Sequence, residues 1–205
     1  MGREQTRELL LETGRTTFLE RGYGNSGIET ILQAAGVPKG SFYYYFSSKE
    51  DFGLKVLDHF AERYEERMDQ NLGDATLSPI GRIRRHFEAF IERFDSGLCR
   101  KGCLVGRLSQ ELADHSEVFR TKLEEIFRRW EDRYTECLQL AYDSGEIDPI
   151  LPIRTAAEFW LNGWQGAMLR AKSSRSSAPL RTFLDVMLTH VLRVQPHNIP
   201  LIPTP

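Results

Sequence analysis

Apolar residues recur every three to four positions along almost the whole chain, and that period is helical. Ile28, Ile31, Leu32 and Ala35 fall at i, i+3, i+4 and i+7, so they share one helix face. Ser26 stands where a cap would accept the first backbone N–H groups. Gly36 ends this helix, because glycine takes the left-handed C′ conformation at little cost. Pro38 suits the first position of a following short helix over 39–45, where its missing N–H would be unpaired anyway. Ser48 then opens a third helix, with Asp51 at N3 in a capping-box-like pattern.

The same reading extends both ways. A first helix is expected from about Gln5 to Arg21, with Leu10, Gly14, Thr17 and Phe18 on one face. Gly22 ends it, and Tyr23 is expected to pack under the next two helices. From Ser48 a long helix runs to about Leu72, with Phe52, Val56 and Phe60 aligned and a charged, solvated later part, ERYEERMDQN. At about 1.5 Å per residue it spans over 30 Å, a natural lever between two domains. Ser78 and Pro79 open a helix to about Phe94, and Gly97 and Gly102 break the chain. A short helix follows from Cys103 or Leu104 to near Ala113. Further helices are expected over about 116–143, 153–171 and 179–194, before a proline-rich tail at 196–205. The fold class is all-α, with no strand signal: a three-helix helix-turn-helix head at 1–48 and a six-helix body at 49–195, about nine helices.

Composition changes this picture in two places. The net charge is −2 and the basic residues of the first fifty positions are balanced by glutamates. Binding to nucleic acid must then rest on local placement and on doubled contacts in a dimer, not on bulk charge. Three cysteines, an odd number, argue against a disulfide framework and fit a reducing cytoplasm. The charged N-terminus lacks the apolar core of a signal peptide, and no stretch approaches the ~20 apolar residues of a membrane span.

Helix, glycine-containing turn and short helix is the layout of a helix-turn-helix, whose second helix enters the major groove. Phe42 and Phe46, four apart, face inward, which leaves Lys39, Gly40, Ser41, Tyr43, Tyr44 and Tyr45 to look out. Gly40 and Ser41 let the backbone approach a duplex, and tyrosines bring hydroxyls to phosphates and rings to thymine methyls. Lys49 is placed to reach a phosphate, and Ser26 and Gly27 at the head of the motif's first helix complete the candidate DNA contacts. The run AAGVPKGSFYYYFSSKEDF resembles the DNA-binding signature of the TetR family of bacterial transcriptional regulators, over roughly residues 5 to 55. That resemblance implies a small DNA-reading head, a divergent helical body that binds an effector and dimerises, and a palindromic double-stranded operator.

The last two helices bear on the dimer. The final one is apolar on more than one face, through Phe183, Leu184, Met187, Leu188 and Val191, and the one before it offers Gly163 and Ala167 for close approach. A four-helix homodimer interface of these residues is the expectation, since a two-fold protein reads half-sites about 34–36 Å apart.

Two effector readings stay open. In one, a non-covalent apolar or aromatic ligand lies among Phe90, Phe94, Trp130, Tyr134, Phe159, Trp160 and Trp164, and Cys103 is only structural. In the other, Cys103 is a sensor thiol: a helix N-terminus and the cations Arg100, Lys101 and Arg107 favour its thiolate. KGCL and WQGAMLRAKSSRS resemble a TetR subgroup that includes the repressor of N-ethylmaleimide reductase, which responds to electrophiles and oxidised chlorine. There the resemblance pairs Cys103 with Lys172, and Cys99 is a candidate resolving thiol. Cys137 lies on an apolar stripe and reads as inert. No catalytic grouping, phosphate loop, metal spacing or cofactor motif is found, so an enzyme is not expected.

Overall fold

The computed structural model describes residues 2–98 and 101–195. Among these residues there are nine α-helices and no strand. They are α1 (Arg3–Arg21), α2 (Ile28–Ala35), α3 (Phe42–Tyr45, entered through a 3₁₀ turn at Lys39–Ser41), α4 (Lys49–Leu72), α5 (Pro79–Asp95), α6 (Leu104–Leu112), α7 (Glu117–Asp143), α8 (Ile153–Ser174) and α9 (Ala178–Val186). No helix is long and apolar enough to cross a membrane, among the described residues. The proline-rich tail lies outside them.

Two compact units form: residues through Tyr64 with Lys101–Ile126, and the remaining described residues. In the first, Phe18, Phe42, Phe46 and Phe52 make a ring cluster with centroids 4.8 to 5.9 Å apart. Gly14 is what admits it: a Cβ there would lie 2.4 Å from Phe52 Cζ. Tyr23 does not pack under α2 and α3 as expected. Its ring lies against Phe18 and Phe119, because Gly53 leaves the space for it.

The second unit is built around Phe87, which touches Tyr134, Trp160 and Trp164 at 4.6 to 5.4 Å. His86 is buried beside it, bonded to Tyr134 Oη at 3.2 Å and to Asn71 Nδ2 at 3.3 Å. Burial, and then the nearby Arg67 charge, push its pKa down to about 4. Glu146 is a buried carboxylate that accepts from Ile80 N at 2.9 Å and Ser144 Oγ at 3.0 Å, so it caps α5 from across the sequence. The charged end of α4 is not simply solvated: Glu65 pairs with Arg129 and Arg133, and Asp69 with Arg133.

The C-terminal helix departs most from its sequence pattern. It stops at Val186 and continues as a π turn, Met187–Val191, with Leu192 N bonded to Met187 O. The carbonyls at the helix end, which have no intrahelical partner, accept from the loop: Asp148 N and Ile150 N donate to Leu192 O and Val191 O. Its two apolar faces therefore serve this chain: Leu184, Met187, Leu188 and Val191 are all buried within one protomer. Gly163 likewise receives the chain's own Phe183, whose Cε2 would lie 2.3 Å from an added Cβ.

Candidate nucleic-acid interface

The second helix of the helix-turn-helix is a 3₁₀ turn followed by a single α turn. Phe42 and Phe46 are sealed into the ring cluster, and this aims the residues between them outward. Tyr43 is 69 % exposed and Tyr44 59 %; Lys39 and Gly40 are exposed, and Ser41 and Tyr45 are half-buried. The Tyr44 and Tyr45 rings meet edge to face at 5.0 Å, and the Arg3 guanidinium lies 4.4 Å over the Tyr44 ring. Arg3 was not singled out in the sequence, because only the fold brings the start of α1 over α3. Lys39 pairs with Glu29, and each charge favours the ionised form of the other. A duplex phosphate would have to compete with that carboxylate.

Two expected contacts are corrected. Ser26 is 0 % exposed, and its hydroxyl donates to Gly22 O, so it neither caps α2 nor faces a duplex. Gly27, exposed, occupies the cap position of α2 instead. Lys49 points inward: its Nζ donates to Tyr23 O at 2.8 Å and sits 4.4 Å over the Tyr23 ring. Desolvation there lowers its pKa, the reverse of what phosphate contact would do. The cap of α4 is close to expectation: Asp51 N donates to Ser48 Oγ at 3.0 Å, while the Asp51 carboxylate accepts from Ser47 N rather than Ser48 N.

The effector elements divide between the units. Cys103, half-buried, holds the N-cap position of α6 in the first, after Gly102 in a left-handed conformation (φ 87°). Lys172 is exposed near the end of α8 in the second. Cys99 lies outside the described residues. Cys137 is buried against Pro79 O at 3.4 Å, and burial pushes its thiol up to about 11, as its apolar position suggested. Of the aromatic residues named for a ligand, Phe94, Trp130, Tyr134, Trp160 and Trp164 are buried and Phe90 is half-buried. Phe159 is not among them: it is 50 % exposed on the outer side of α8. The Nε1–H of Trp160, buried beside Phe87 and Phe183, has no acceptor among the described residues.

The expected dimer residues are also redistributed. Ala167, Leu184, Met187, Leu188 and Val191 are buried, while Gly163 and Phe183 are half-buried against each other. The outward stripe of α8 is Phe159, Asn162, Gly166 and Leu169, at i, i+3, i+7 and i+10. Leu169 is 53 % exposed, and nothing lies within 4 Å of a Cβ placed on Gly166.

Residues 10–54 match the family model "Bacterial regulatory proteins, tetR family", and residues 79–187 match "Tetracyclin repressor-like, C-terminal domain". The chain is similar to the HTH-type transcriptional repressor DhaR of a Mycobacterium species, 40% identical over 192 residues, 94% of this chain and 95% of that protein. It is similar to the HTH-type transcriptional repressor NemR of Escherichia coli, 34% identical over 184 residues, 87% of this chain and 90% of the other. The solved reduced form of E. coli NemR superposes with a TM-score of 0.85 at 30% identity, covering 97% of this chain and 100% of that one. A regulatory protein TetR from Rhodobacter sphaeroides gives a TM-score of 0.84 at 34% identity, covering 90% of this chain and 97% of that one.

Proposed function

The chain belongs to the TetR family of bacterial transcriptional regulators, and from that premise we propose that it is a homodimeric repressor of a palindromic operator, released when Cys103 reacts with an electrophile or oxidant. As a transcriptional repressor it acts on DNA in the cytoplasm and catalyses nothing. The reading helix presents Tyr43 and Tyr44 to the major groove, with Lys39, Gly40, Ser41 and Tyr45 beside them and Gly27 at the start of α2. Arg3, held over Tyr44, adds a charge where the reading helix itself has few.

The observation that carries the sensor reading is the place of Cys103. It is partly accessible, it occupies the N-cap position of α6, and backbone N–H groups at a helix start favour an anionic sulfur. Similarity to E. coli NemR, which was solved in a reduced form, fits a regulator whose redox state matters. With a maleimide the sulfur adds to the carbon–carbon double bond and the adjacent carbon takes a proton, with no leaving group. Cys103→Ser is expected to bind operator like the wild type yet stay bound in N-ethylmaleimide or hypochlorite. The wild type should lose about 5–150-fold in affinity, the range of ordinary allosteric coupling. Mobility shifts on DNA upstream of the gene measure both, and release of Cys103→Ser at the wild-type dose sinks the thiol reading.

One observation favours the second reading, a non-covalent ligand. A buried indole N–H without an acceptor costs about 1–3 kcal/mol, and an uncharged ligand bearing an acceptor oxygen would recover it at Trp160. Such a ligand would release Cys103→Ser and the wild type alike.

For the dimer, the stripe Phe159, Asn162, Gly166 and Leu169 with Val186 is the face left to a second copy. Gly166→Arg fills open space in the protomer, so it should not lower protomer stability, and replacing a mid-helix glycine helps the helix. The expected outcome is a monomer by sedimentation with operator affinity reduced at least about 100-fold, because both half-sites are no longer engaged together. A Gly166→Arg protein that sediments as a dimer places the interface elsewhere.

A further inference from the structure

The loop between α1 and α2 is Gly22-Tyr23-Gly24-Asn25-Ser26-Gly27, and it is gripped by a residue almost ninety positions away. Tyr23 N donates to Glu111 Oε2 at 2.9 Å and Gly24 N donates to Glu111 Oε1 at 2.5 Å. Both carboxylate oxygens are thus used, each by a backbone N–H, and charge-assisted bonds of this kind are about twice as strong as neutral ones. The flanking glycines make room: a Cβ on Gly22 would lie 2.8 Å from Oε2, and one on Gly24 3.1 Å from Oε1. Gly22 also has a φ of 86°, which glycine adopts without strain.

The rest of the loop is fixed around that carboxylate. Tyr23 O accepts from Lys49 Nζ at 2.8 Å and from Ser26 N at 3.1 Å, and the Ser26 hydroxyl donates to Gly22 O. The Tyr23 ring is held by Phe18 of α1, Phe119 of α7 and the Lys49 cation of α4. Immediately beyond Ser26, Gly27 starts α2. At the other end of the same segment Lys101 pairs with Glu20 in the last turn of α1. The segment that begins at Lys101, carries Cys103 and ends in α6 is therefore bonded at both ends to the DNA-reading head.

We propose that Glu111 is a positioning residue for operator recognition: its carboxylate, seated in the Gly22-Tyr23-Gly24 backbone, fixes how α2 leaves the loop and so how α3 is presented to DNA. Glu111 touches no DNA itself. Whatever shifts α6 pulls on this carboxylate and loosens the loop, so Glu111 is the step between the sensor segment and the reading helix. The inference rests on the repressor reading and not on the nature of the trigger.

The test is a double-mutant cycle read as affinity of the untreated dimer for a duplex selected by the wild type from a random pool. Gly24 lies outside the left-handed region, so Gly24→Ala disturbs this contact and little else. Glu111→Ala and Gly24→Ala should each weaken binding about 5- to 50-fold, in the range for residues of one bonded network. The double variant should bind no more weakly than Glu111→Ala, a coupling that a merely structural role of α6 would not produce. Amide exchange at Tyr23 and Gly24 should speed up in all three. Glu111→Gln keeps one acceptor oxygen, and its smaller loss of about 2- to 10-fold serves if the alanine variant does not fold. Wild-type affinity in Glu111→Ala, or in Glu111→Gln where that variant serves, or single losses that multiply in the double variant, overturns the proposal. The thiol reading is judged separately by Cys103→Ser under N-ethylmaleimide.

Discussion

Phe52→Ala is expected to cost about 3–5 kcal/mol and to abolish operator binding at 37 °C, although Phe52 touches no DNA. Its ring is 0 % exposed and stands 4.8 Å from Phe46, 5.4 Å from Phe42 and 5.9 Å from Phe18. Those three rings belong to α1, to α3 and to the residue ending α3, so Phe52 of α4 ties the reading helix to α1 and α4. Helix α3 has four residues. A helix that short has no stability of its own and exists only through what it buries. Removing the Phe52 ring opens a cavity under it, and the exposed tyrosines lose their fixed presentation. Thermal melting by circular dichroism and operator titration measure the two effects. A compensating change is built into the same site. Gly14→Ala alone inserts a Cβ 2.4 Å from Phe52 Cζ and should cost about 1–3 kcal/mol by overpacking. Combined with Phe52→Ala, that methyl enters the cavity, so the double variant should be more stable than the two losses added together. Simple additivity would show that Gly14 and Phe52 do not share this space.

The helices were legible because their signals are local. Apolar period, Gly36 as a left-handed stop, Ser78 with Pro79 at a helix start, and Ser48 as a cap all act within one or two turns. The tyrosine run at 43–45 was legible as outward-facing for the same reason, once Phe42 and Phe46 claim the inner face. What sequence could not give was any pairing across long separations. Lys49 has the residue type and position of a phosphate contact, and only the arrival of Tyr23 beneath it turns the ammonium inward. Ser26 has the cap residue type, but the loop folds back and takes its hydroxyl first. Glu111 sits in an unremarkable QEL sequence, 87 positions from Gly24. A hint was present in RGYG, where two glycines flank one tyrosine, but nothing in the order of residues says that a carboxylate fills the space they leave. In the sequence, the apolar excess of the C-terminal helix points to a second subunit. Leu184, Met187, Leu188 and Val191 are instead buried within the chain, and the π turn that carries three of them is an i→i+5 turn with no sequence pattern of its own.

Stability should fall as the pH drops from about 6.5 towards 4, by roughly 3 kcal/mol in full, and His86 should account for the fall. Its Nδ1 faces Asn71 Nδ2, an amide nitrogen identified by its donation to Arg67 O at 2.8 Å, so Nδ1 is the acceptor. The proton of the neutral ring then lies on Nε2, directed at Tyr134 Oη at 3.2 Å. A second proton would place a charge in a pocket walled by Phe87 and Tyr134, within reach of the Arg67 cation. The folded pKa is about 4 against an ordinary value of 6.5. Between those values the unfolded chain binds the proton and the folded chain does not, so acid favours unfolding. Above pH 6.5 the full stability is present, and below about 4 this contribution is exhausted. The window from pH 6.5 to 5 is the informative one, because Glu12, Glu20, Glu29 and Glu117, all with lowered pKa values, titrate beneath it. His86→Gln keeps an amide where the imidazole was and cannot take the charge. Urea midpoints at pH 7.5, 6.5, 5.5 and 5 should slope downward in the wild type and lie nearly flat in the variant. Equal slopes would move the acid sensitivity to another histidine. Because the surrounding rings belong to α5, α7 and α8, acid loosening at His86 would be felt first in the aromatic cluster that also holds Trp160 and Trp164.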